Sequence, residues 1–257
     1  CEDGDSIFIT PFVGDGGKAG ALTVGVPALQ ASIGVPRGIV QSKNGDLYFT
    51  SETSHAVFKV EFNKKKGTSK VTIVAGTGSL GVGADDILGT LSALDRPFAL
   101  SLIEDDETDE VKAILIADTN NNRIRKLNMT TQLIHTIAGT GEEGSAGDGD
   151  LAVKAQVYNP LGVYYDKKTG DIFITESASN RIRRIFASND TIDTVVGKCQ
   201  GVNSVKAIDA CLTYPTHFTM NDAGEWFFSS YDHLIRKVDL DGNMETVAGG
   251  GADSVEG

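Results

Sequence analysis

The 257-residue sequence predicts an all-β fold, a β-propeller built from four-stranded antiparallel blades. The first observation behind this prediction is internal repetition, because the stretch from Ile114 to Gly139 recurs in variant form from Leu47, Ile172 and Trp226. The second is that each copy contains short apolar or alternating runs separated by turns rich in Gly, Asn and Asp. The third is that no segment shows the sustained apolar periodicity of a helix.

Each copy supplies four strands, which we name a to d in chain order. Strand a follows a proline, at Pro36, Pro97, Pro160 and Pro215. Strand b is almost continuously apolar, which suits a strand covered on both faces. Strand c alternates polar and apolar residues, so we expect one of its sides to face a core and the other to face water. The arginines of this strand would cover apolar surface with their stems and pair with neighbouring acids. Strand d ends in a small residue followed by Gly.

Four complete sets of strands a to c are present, and they place blades near residues 36–75, 97–138, 160–196 and 215–248. A further strand of type d, from Ile7 to Val13, precedes the first set. We therefore expect a single propeller domain over residues 7–251 that forms part of a larger ring. The remaining blades and flanking domains would belong to the full-length protein.

The recurring pattern resembles the NHL repeat of six-bladed β-propellers. The residues that carry the resemblance are the Pro-x-Gly start of strand a, Asp118–Lys126 (DTNNNRIRK), the ending Ile137-Ala138-Gly139 and the connection Gly147-Asp148-Gly149. The resemblance covers nearly the whole chain, and it implies a six-bladed ring to which this chain contributes about four blades and one strand of a fifth. It implies little about function, since family members include RNA binders, sensor domains, adhesion proteins and enzymes.

Charge and hydropathy narrow the classes of partner. The formal net charge of −12 opposes nucleic-acid binding, because attraction to phosphates dominates that affinity. No run approaches the ~18 apolar residues that a membrane-spanning helix needs. We therefore expect neither a nucleic-acid partner nor a membrane span in this segment.

Two kinds of signal favour an extracytoplasmic location. Cys199 and Cys211 lie in one connection and would close a loop disulfide, with Cys1 left over. Asn128 and Asn189 each begin an Asn-x-Thr sequon, which is a glycosylation acceptor in secreted proteins. The alternative is that the thiols are reduced in the cytosol, where Cys211 would be a small apolar residue.

Chain topology indicates where a ligand would bind. The b–c turns and the long d–a connections share one face of a propeller, while the a–b and c–d turns occupy the other. Residues of the first face, together with one histidine of an inner strand a, are the candidate ligand-binding residues: Asn122, Asn180, Asp148, Asp150 and His217. The two asparagines also have a purely structural interpretation, since Asn side chains fix tight turns by bonding nearby backbone amides.

Asp148 and Asp150 present two carboxylates that suit Ca²⁺, although one such pair is too few ligands for a site. We predict no other cofactor, and no residue pattern identifies a catalytic centre. The favoured function is a non-enzymatic interaction or sensing module that binds a protein or a small ligand. The alternative is a hydrolase or lyase with its site in the central channel, near His217. RNA binding is a third alternative, which the net charge opposes.

Overall fold

The predicted strands form antiparallel sheets in the computed structural model, which describes residues 13–14, 25–63, 68–199 and 206–249. The described residues form four sheets, and strands a, b, c and d of each lie side by side in chain order. From the first blade to the fourth, these strands are β1 (Pro36–Gln41), β2 (Leu47–Ser51), β3 (Ala56–Asn63) and β4 (Thr68–Ala75); β6 (Pro97–Glu104), β7 (Val111–Asp118), β8 (Arg123–Asn128) and β9 (Leu133–Ala138); β10 (Pro160–Tyr165), β11 (Ile172–Glu176), β12 (Arg181–Ile185) and β13 (Ile192–Val196); β14 (Pro215–Met220), β15 (Trp226–Ser230), β16 (Leu234–Val238) and β17 (Met244–Ala248). The arrangement confirms the predicted propeller of four-stranded blades.

The repeated proline begins strand a in every blade. Its missing N–H is tolerated there because the pairing with strand b is irregular just after it, for example between Pro160 and Gly162. The four a strands lie innermost, since β6 contacts both β1 and β10, and β10 also contacts β14. They therefore surround a common central space.

Apolar residues of strands b and c fill the seams between neighbouring blades. Leu115 and Ile124 of the second blade pack with Ile174 of the third, while Ile114 and Ile116 pack with residues of the first. Alternate residues of one strand thus enter two different cores. This explains why strand b is apolar on both faces.

Each d–a connection contains a short 3₁₀ helix, at Ala28–Gln30, Gly89–Leu91, Ala152–Lys154 and Ala207–Asp209. The Gly that ends strand d donates its N–H to the first carbonyl of this helix, as Gly139 does to Ala152 at 3.0 Å. The glycine is required because its φ is +94° and a Cβ there would lie 2.2 Å from the carbonyl oxygen of Asn122.

The same bond joins Gly14 to Ala28 at 2.9 Å, ahead of the first blade. Val13 and Gly14 therefore take the place of a strand-d ending, as predicted. The preceding residues 7–12, Cys1 and the end of the predicted domain at Gly251 lie outside the described residues.

Before it turns inward, each connection also touches the outer strand of the blade that it enters. Leu88, in the short strand β5 (Ile87–Leu88), pairs with Leu133 of β9. Leu151 forms an equivalent bridge to Thr191, and Lys206 forms one to Asn243. Every blade is thereby held at its outer edge by the segment that precedes it.

The prediction that one side of strand c faces water was wrong at Arg125 and Arg183, which are fully buried, whereas the predicted pairing of these arginines with neighbouring acids is confirmed. The d–a connection that enters the same blade covers this side and carries the compensating charge. Arg125 pairs with Asp85 at 2.8 Å, and Arg183 pairs with Asp148 at 2.7 Å. Two-residue alternation cannot distinguish a side that faces water from one that faces another polar segment.

Cys199 and Cys211 form a disulfide, which confirms the pairing predicted from their spacing. Their Cα atoms are 4.3 Å apart, and the amide of Cys199 also donates to Ala210 at 3.2 Å. The crosslink fixes the connection between the third and fourth blades. No helix in the described part of the chain is long and apolar enough to cross a bilayer.

Candidate functional site

The inner strands of the four blades enclose a channel of about 400 Å³. Its walls are largely small or apolar, because the residue two places after the proline is Gly38, Ala99 or Gly162 in the first three blades. The fourth blade carries His217 at this position. The ring of His217 lies 5.6 Å from that of Phe98, and the Arg37 guanidinium lies 5.3 Å from the centre of the same Phe98 ring.

A second cavity, of about 290 Å³, adjoins the channel, and we call it the central depression. The b–c turns and the starts of the a strands form it. Its lining residues are Arg37, Glu52, Arg96, Phe98, Thr119, Asn120, Asn159, Leu161, Ser177, Tyr214 and Tyr231. The predicted face of b–c turns and d–a connections is thus concave at its centre.

Three lining residues share one position, directly before the repeated proline. Arg96, Asn159 and Tyr214 have φ values of 51°, 50° and 44°, so all three adopt the left-handed conformation. This conformation is uncommon for residues other than Gly and costs about 1–2 kcal/mol. Their surroundings must therefore hold them in place.

A side chain of the preceding blade supplies this support. The amide of Asn159 donates to Asn122 Oδ1 at 2.9 Å, and the amide of Tyr214 donates to Asn180 Oδ1 at 2.7 Å. His55 occupies the same place in the first blade, where its Nδ1 accepts from the amide of Arg96 at 3.2 Å. We call this contact the inter-blade clip. The clip recurs between blades, while the residue that it supports differs at each one.

Asn122 and Asn180, predicted as ligand-binding residues, thus lie in the clip. They are also left-handed, at φ 51° and 54°, and their amides close the b–c turns onto Thr119 and Ser177. The structural interpretation of these asparagines accounts for their contacts. Their direct part in ligand binding stays a prediction.

On the cationic side of the central depression, two arginines form ion pairs with one carboxylate. Arg37 Nε donates to Glu52 Oε2 at 2.6 Å, and Arg96 Nη2 lies 2.9 Å from Glu52 Oε1. The Glu52 side chain is 13% exposed, whereas those of Arg37 and Arg96 are 43% and 55% exposed. The acid therefore lies beneath two guanidinium groups that still reach solvent.

The aromatic side consists of Tyr214 and Tyr231, whose ring centres are 6.2 Å apart in an edge-to-face arrangement. They are 51% and 62% exposed, unusually open for large rings that contact each other. Tyr158 lies in the connection that enters the third blade, where the charge of the neighbouring Glu143 raises the pKa of Tyr158. This half of the depression offers ring faces and phenol hydroxyls to a ligand.

His217 lines the channel, as its place on an inner strand predicts. Desolvation by the surrounding protein lowers the pKa of His217, so the neutral imidazole is favoured. At the equivalent Gly38, a Cβ would lie 2.8 Å from the carbonyl oxygen of Phe98 in the next blade. Among the described residues that line the channel, the ionisable groups are His217, Arg37 and Tyr164, and none is a carboxylate.

Asp148 and Asp150 lie in the connection that enters the third blade. Asp148 pairs with Arg183. Burial acts to raise the pKa of Asp148, but hydrogen bonds from Thr194 and the charge of Arg183 outweigh it and lower this pKa. The backbone of Asp150 pairs with Ile192, and its side chain is exposed. No group of three His, Cys, Asp or Glu residues in the described ranges is arranged to hold a metal ion, so the Ca²⁺ hypothesis stays a prediction.

Comparison with known proteins bears on the fold. No protein-family model matches the chain. The chain is 23% identical over 162 residues to human NHL repeat-containing protein 2, covering 59% of this chain and 22% of that protein. It is 24% identical over 156 residues to mouse Teneurin-4, covering 53% of this chain and 6% of that protein. The chain is a β-propeller whose repeats are similar in sequence to those of an NHL repeat-containing protein.

A solved structure is similar to this chain in fold. It is an auxiliary nutrient binding protein from Bacteroides thetaiotaomicron VPI-5482, similar to this chain with a TM-score of 0.53 at 23% identity. The match covers 65% of this chain and 39% of that one. The matched region spans less than a quarter of both curated relatives. The similarity therefore identifies the architecture, and function has to be argued from the residues of the site.

The predicted glycosylation acceptors of the propeller lie away from the central depression. Asn128 and Asn189 occupy c–d turns, where each Oδ1 accepts a backbone amide two residues later, at 2.9 and 3.2 Å. Glycans at these two positions would therefore leave the depression open. Glycosylation itself stays a prediction.

Sequence reasoning missed Arg96, Asn159 and Tyr214. Their left-handed backbone arises from packing between blades, which no single repeat reveals. A usable signal was nevertheless present, because all three directly precede the repeated proline and differ in chemistry between otherwise similar repeats. A position whose residue type varies among otherwise similar internal repeats is a candidate for ligand recognition.

Proposed function

We propose that this propeller is a non-enzymatic binding module that holds a protein or small ligand in the central depression. The observation that carries the proposal is the inter-blade clip. It recurs as a scaffold, yet it presents three unlike side chains, those of Arg96, Asn159 and Tyr214. Recognition sites are built in this way, with variable side chains on a rigid frame.

Backbone strain at these positions supports the proposal. Left-handed residues other than Gly persist only where their surroundings over-determine them, and they concentrate at ligand clamps. Tyr214 is bulky, and its φ of 44° is therefore costly. With this backbone conformation, the Tyr214 ring contacts that of Tyr231, and both rings line the central depression.

The channel gives the hydrolase or lyase alternative less support. His217 is its best candidate, since a neutral imidazole is a competent general base. An acid–base mechanism also needs a partner group, and the described channel walls carry no carboxylate beside His217. The depression, in contrast, combines charge, ring faces and amides in one concavity.

The disulfide also bears on where the module works. Cys199–Cys211 is a crosslink that persists in oxidising compartments, so we place the module outside the cytoplasm. The predicted sequons at Asn128 and Asn189 are consistent with this proposal. The net charge of −12 makes RNA an unsuitable ligand near physiological salt.

Chemical-shift mapping tests the proposal. The ¹⁵N-labelled chain is titrated with a library of small extracellular metabolites and saccharides. Perturbed amides should cluster at Arg96, Asn159 and Tyr214, and the substitution Tyr214→Ala should abolish the response. Lys167→Ala, on an exposed a–b turn of the opposite face, serves as the control. Ligands that cluster on the opposite face, or that bind equally to Tyr214→Ala, would overturn the proposal.

A further inference from the structure

We infer that the central depression selects ligands that carry a carboxylate on a ring-shaped body, such as a sugar acid or an aromatic acid. The inference rests on the proposed function and specifies its ligand. It follows from the charge of one side of the depression, the rings of the other side, and the size of the space between them.

The cationic side has unused donors. An arginine carries five N–H donors in a planar fork, and a carboxylate accepts two of them side by side. Arg37 uses Nε and one terminal nitrogen on Glu52, and Arg96 uses one terminal nitrogen. Each guanidinium therefore keeps free N–H groups towards solvent, already oriented by the acid beneath them.

The charges of the lining residues favour a single negative charge. Two arginines and Glu52 sum to one net positive charge, and Glu52 is the only acid among the described lining residues. This cationic spot lies in a chain whose formal net charge is −12. A monoanionic carboxylate neutralises the spot and matches the planar fork of Arg96 in two parallel hydrogen bonds.

The aromatic side suits a flat body attached to that carboxylate. Tyr214 and Tyr231 meet edge to face, so the edge of one ring covers part of the face of the other. Both rings nevertheless remain more than half exposed, which leaves aromatic surface free for a sugar or aromatic ring. Asn120 and Asn159, also in the lining, supply amide donors and acceptors for hydroxyl groups. A cavity of about 290 Å³ lies at the lower end of the range for small-molecule pockets, which favours a single ring.

Isothermal titration of the purified chain tests the inference with five probes: glucuronate, glucose, benzoate, benzyl alcohol and inorganic phosphate. We expect at least one acid to bind about tenfold or more tightly than its neutral counterpart, since hydrogen bonds to charged groups are the strong ones. Glucuronate and benzoate distinguish a sugar acid from an aromatic acid. Phosphate should bind more weakly than the preferred acid.

Substitutions in the depression test which side chains account for the preference for acids. Arg96→Gln should weaken binding of the acid about tenfold and leave the neutral probe unchanged, whereas Lys154→Gln removes the same charge from an exposed site outside the depression and should change neither. Arg37→Gln provides a second test should Arg96→Gln lose its thermal transition. Tyr214→Ala should weaken both members of the preferred pair.

The outcomes separate the two proposals. If library ligands map to the depression but the acids show no advantage over neutral probes, or if phosphate binds as tightly as the better acid, the carboxylate inference is overturned and the binding module stands. If neither the acids nor any library ligand perturbs the depression, the carboxylate inference fails together with the small-ligand form of the proposed function. A loss of acid binding in Lys154→Gln equal to that in Arg96→Gln would show a general charge effect and would also overturn the inference.

Discussion

The third and fourth blades present the same sheet side to different surroundings. Ile182 of the third blade is fully buried against the fourth, while the equivalent Ile235 is 44% exposed. Asn180 accepts the amide of Tyr214, while the ring of the equivalent His233 makes no hydrogen bond to any residue that the structure describes. The comparison indicates that packing between neighbouring blades, more than the repeated sequence itself, determines how much these positions stabilise the fold.

The largest effect is expected at the buried charges of the covered seam. Glu176 is fully buried and pairs with Arg181 and Arg183 at 2.9 and 3.1 Å. Glu176→Gln should cost roughly 3–5 kcal/mol, because Arg181 loses its acidic partner and the buried Arg183 keeps only Asp148. In the fourth blade, Asp232 pairs with Arg236 but is 24% exposed, and Asp232→Asn should cost about 1 kcal/mol or less. Urea unfolding compares the two variants, and equal losses would contradict the comparison.

Apolar truncation tests the same comparison without charge. Ile182→Ala should lower the free energy of unfolding by about 2–5 kcal/mol, because it leaves a cavity in the seam. Ile235→Ala removes the same atoms from a partly exposed position and should cost less than about 1 kcal/mol. A loss at Ile235 as large as that at Ile182 would mean that this side of the fourth blade is covered in solution.

The pH dependence of stability provides a further test, at Asp118, a buried carboxyl at the end of strand b in the second blade. Burial raises its pKa to about 6, while hydrogen bonds from the Asp95 amide and Asn121, together with Arg125, oppose the rise. The pKa of Asp118 in the folded state thus lies above its unfolded value of 3.8. The protonated carboxyl therefore contributes stability that is fully present below pH 3.8 and is lost as the pH rises through 6. The loss should be of the order of 1–3 kcal/mol.

The measurement is the free energy of unfolding between pH 3.5 and 7.5 for the natural chain and for Asp118→Asn. The difference between the two curves isolates Asp118 from the other carboxylates. The natural chain should lose stability relative to the variant over this window, and parallel curves would contradict the assignment. Ser230 holds this position in the fourth blade and does not titrate there.

The smallest effect is expected at the inter-blade clip. Asn180→Ala and His233→Ala both place alanine in the left-handed region, so the conformational cost is shared. Only Asn180 loses a bond to the next blade, and its substitution should cost more by about 0.5–1.5 kcal/mol. Paired denaturation curves test this difference, which should vanish if the clip contributes nothing to folding.

Much of the fold was predictable because its signals are local. Proline starts, apolar b strands, Gly endings and the spacing of Cys199 and Cys211 predicted the blades and the disulfide. The burial of Arg125 and Arg183 was not predictable, since it depends on a connection that folds back over strand c. His217 could be placed on the channel wall because strand order alone determines which strands lie innermost.

The depression was only half predictable for a related reason. Topology identified the face, but the cluster of Arg37, Glu52 and Arg96 joins residues of two blades. The ring contact between Tyr214 and Tyr231 likewise depends on a left-handed residue before Pro215. Such contacts arise from three-dimensional packing and leave no periodic trace in the sequence.

The bridge between each connection and the next outer strand has a consequence for how such a chain can change by recombination. Leu88 pairs with Leu133, and Leu151 pairs with Thr191. Each blade therefore uses a segment that precedes its own first strand, so the borders of a structural blade do not coincide with the borders of one sequence repeat. A crossover that adds or removes one whole period restores every bridge wherever it falls within the repeat. A cassette cut at the borders of a sheet, such as 160–196, instead loses its outermost partner. Duplication is therefore tolerant of its breakpoints, whereas transplanting a single excised blade is not.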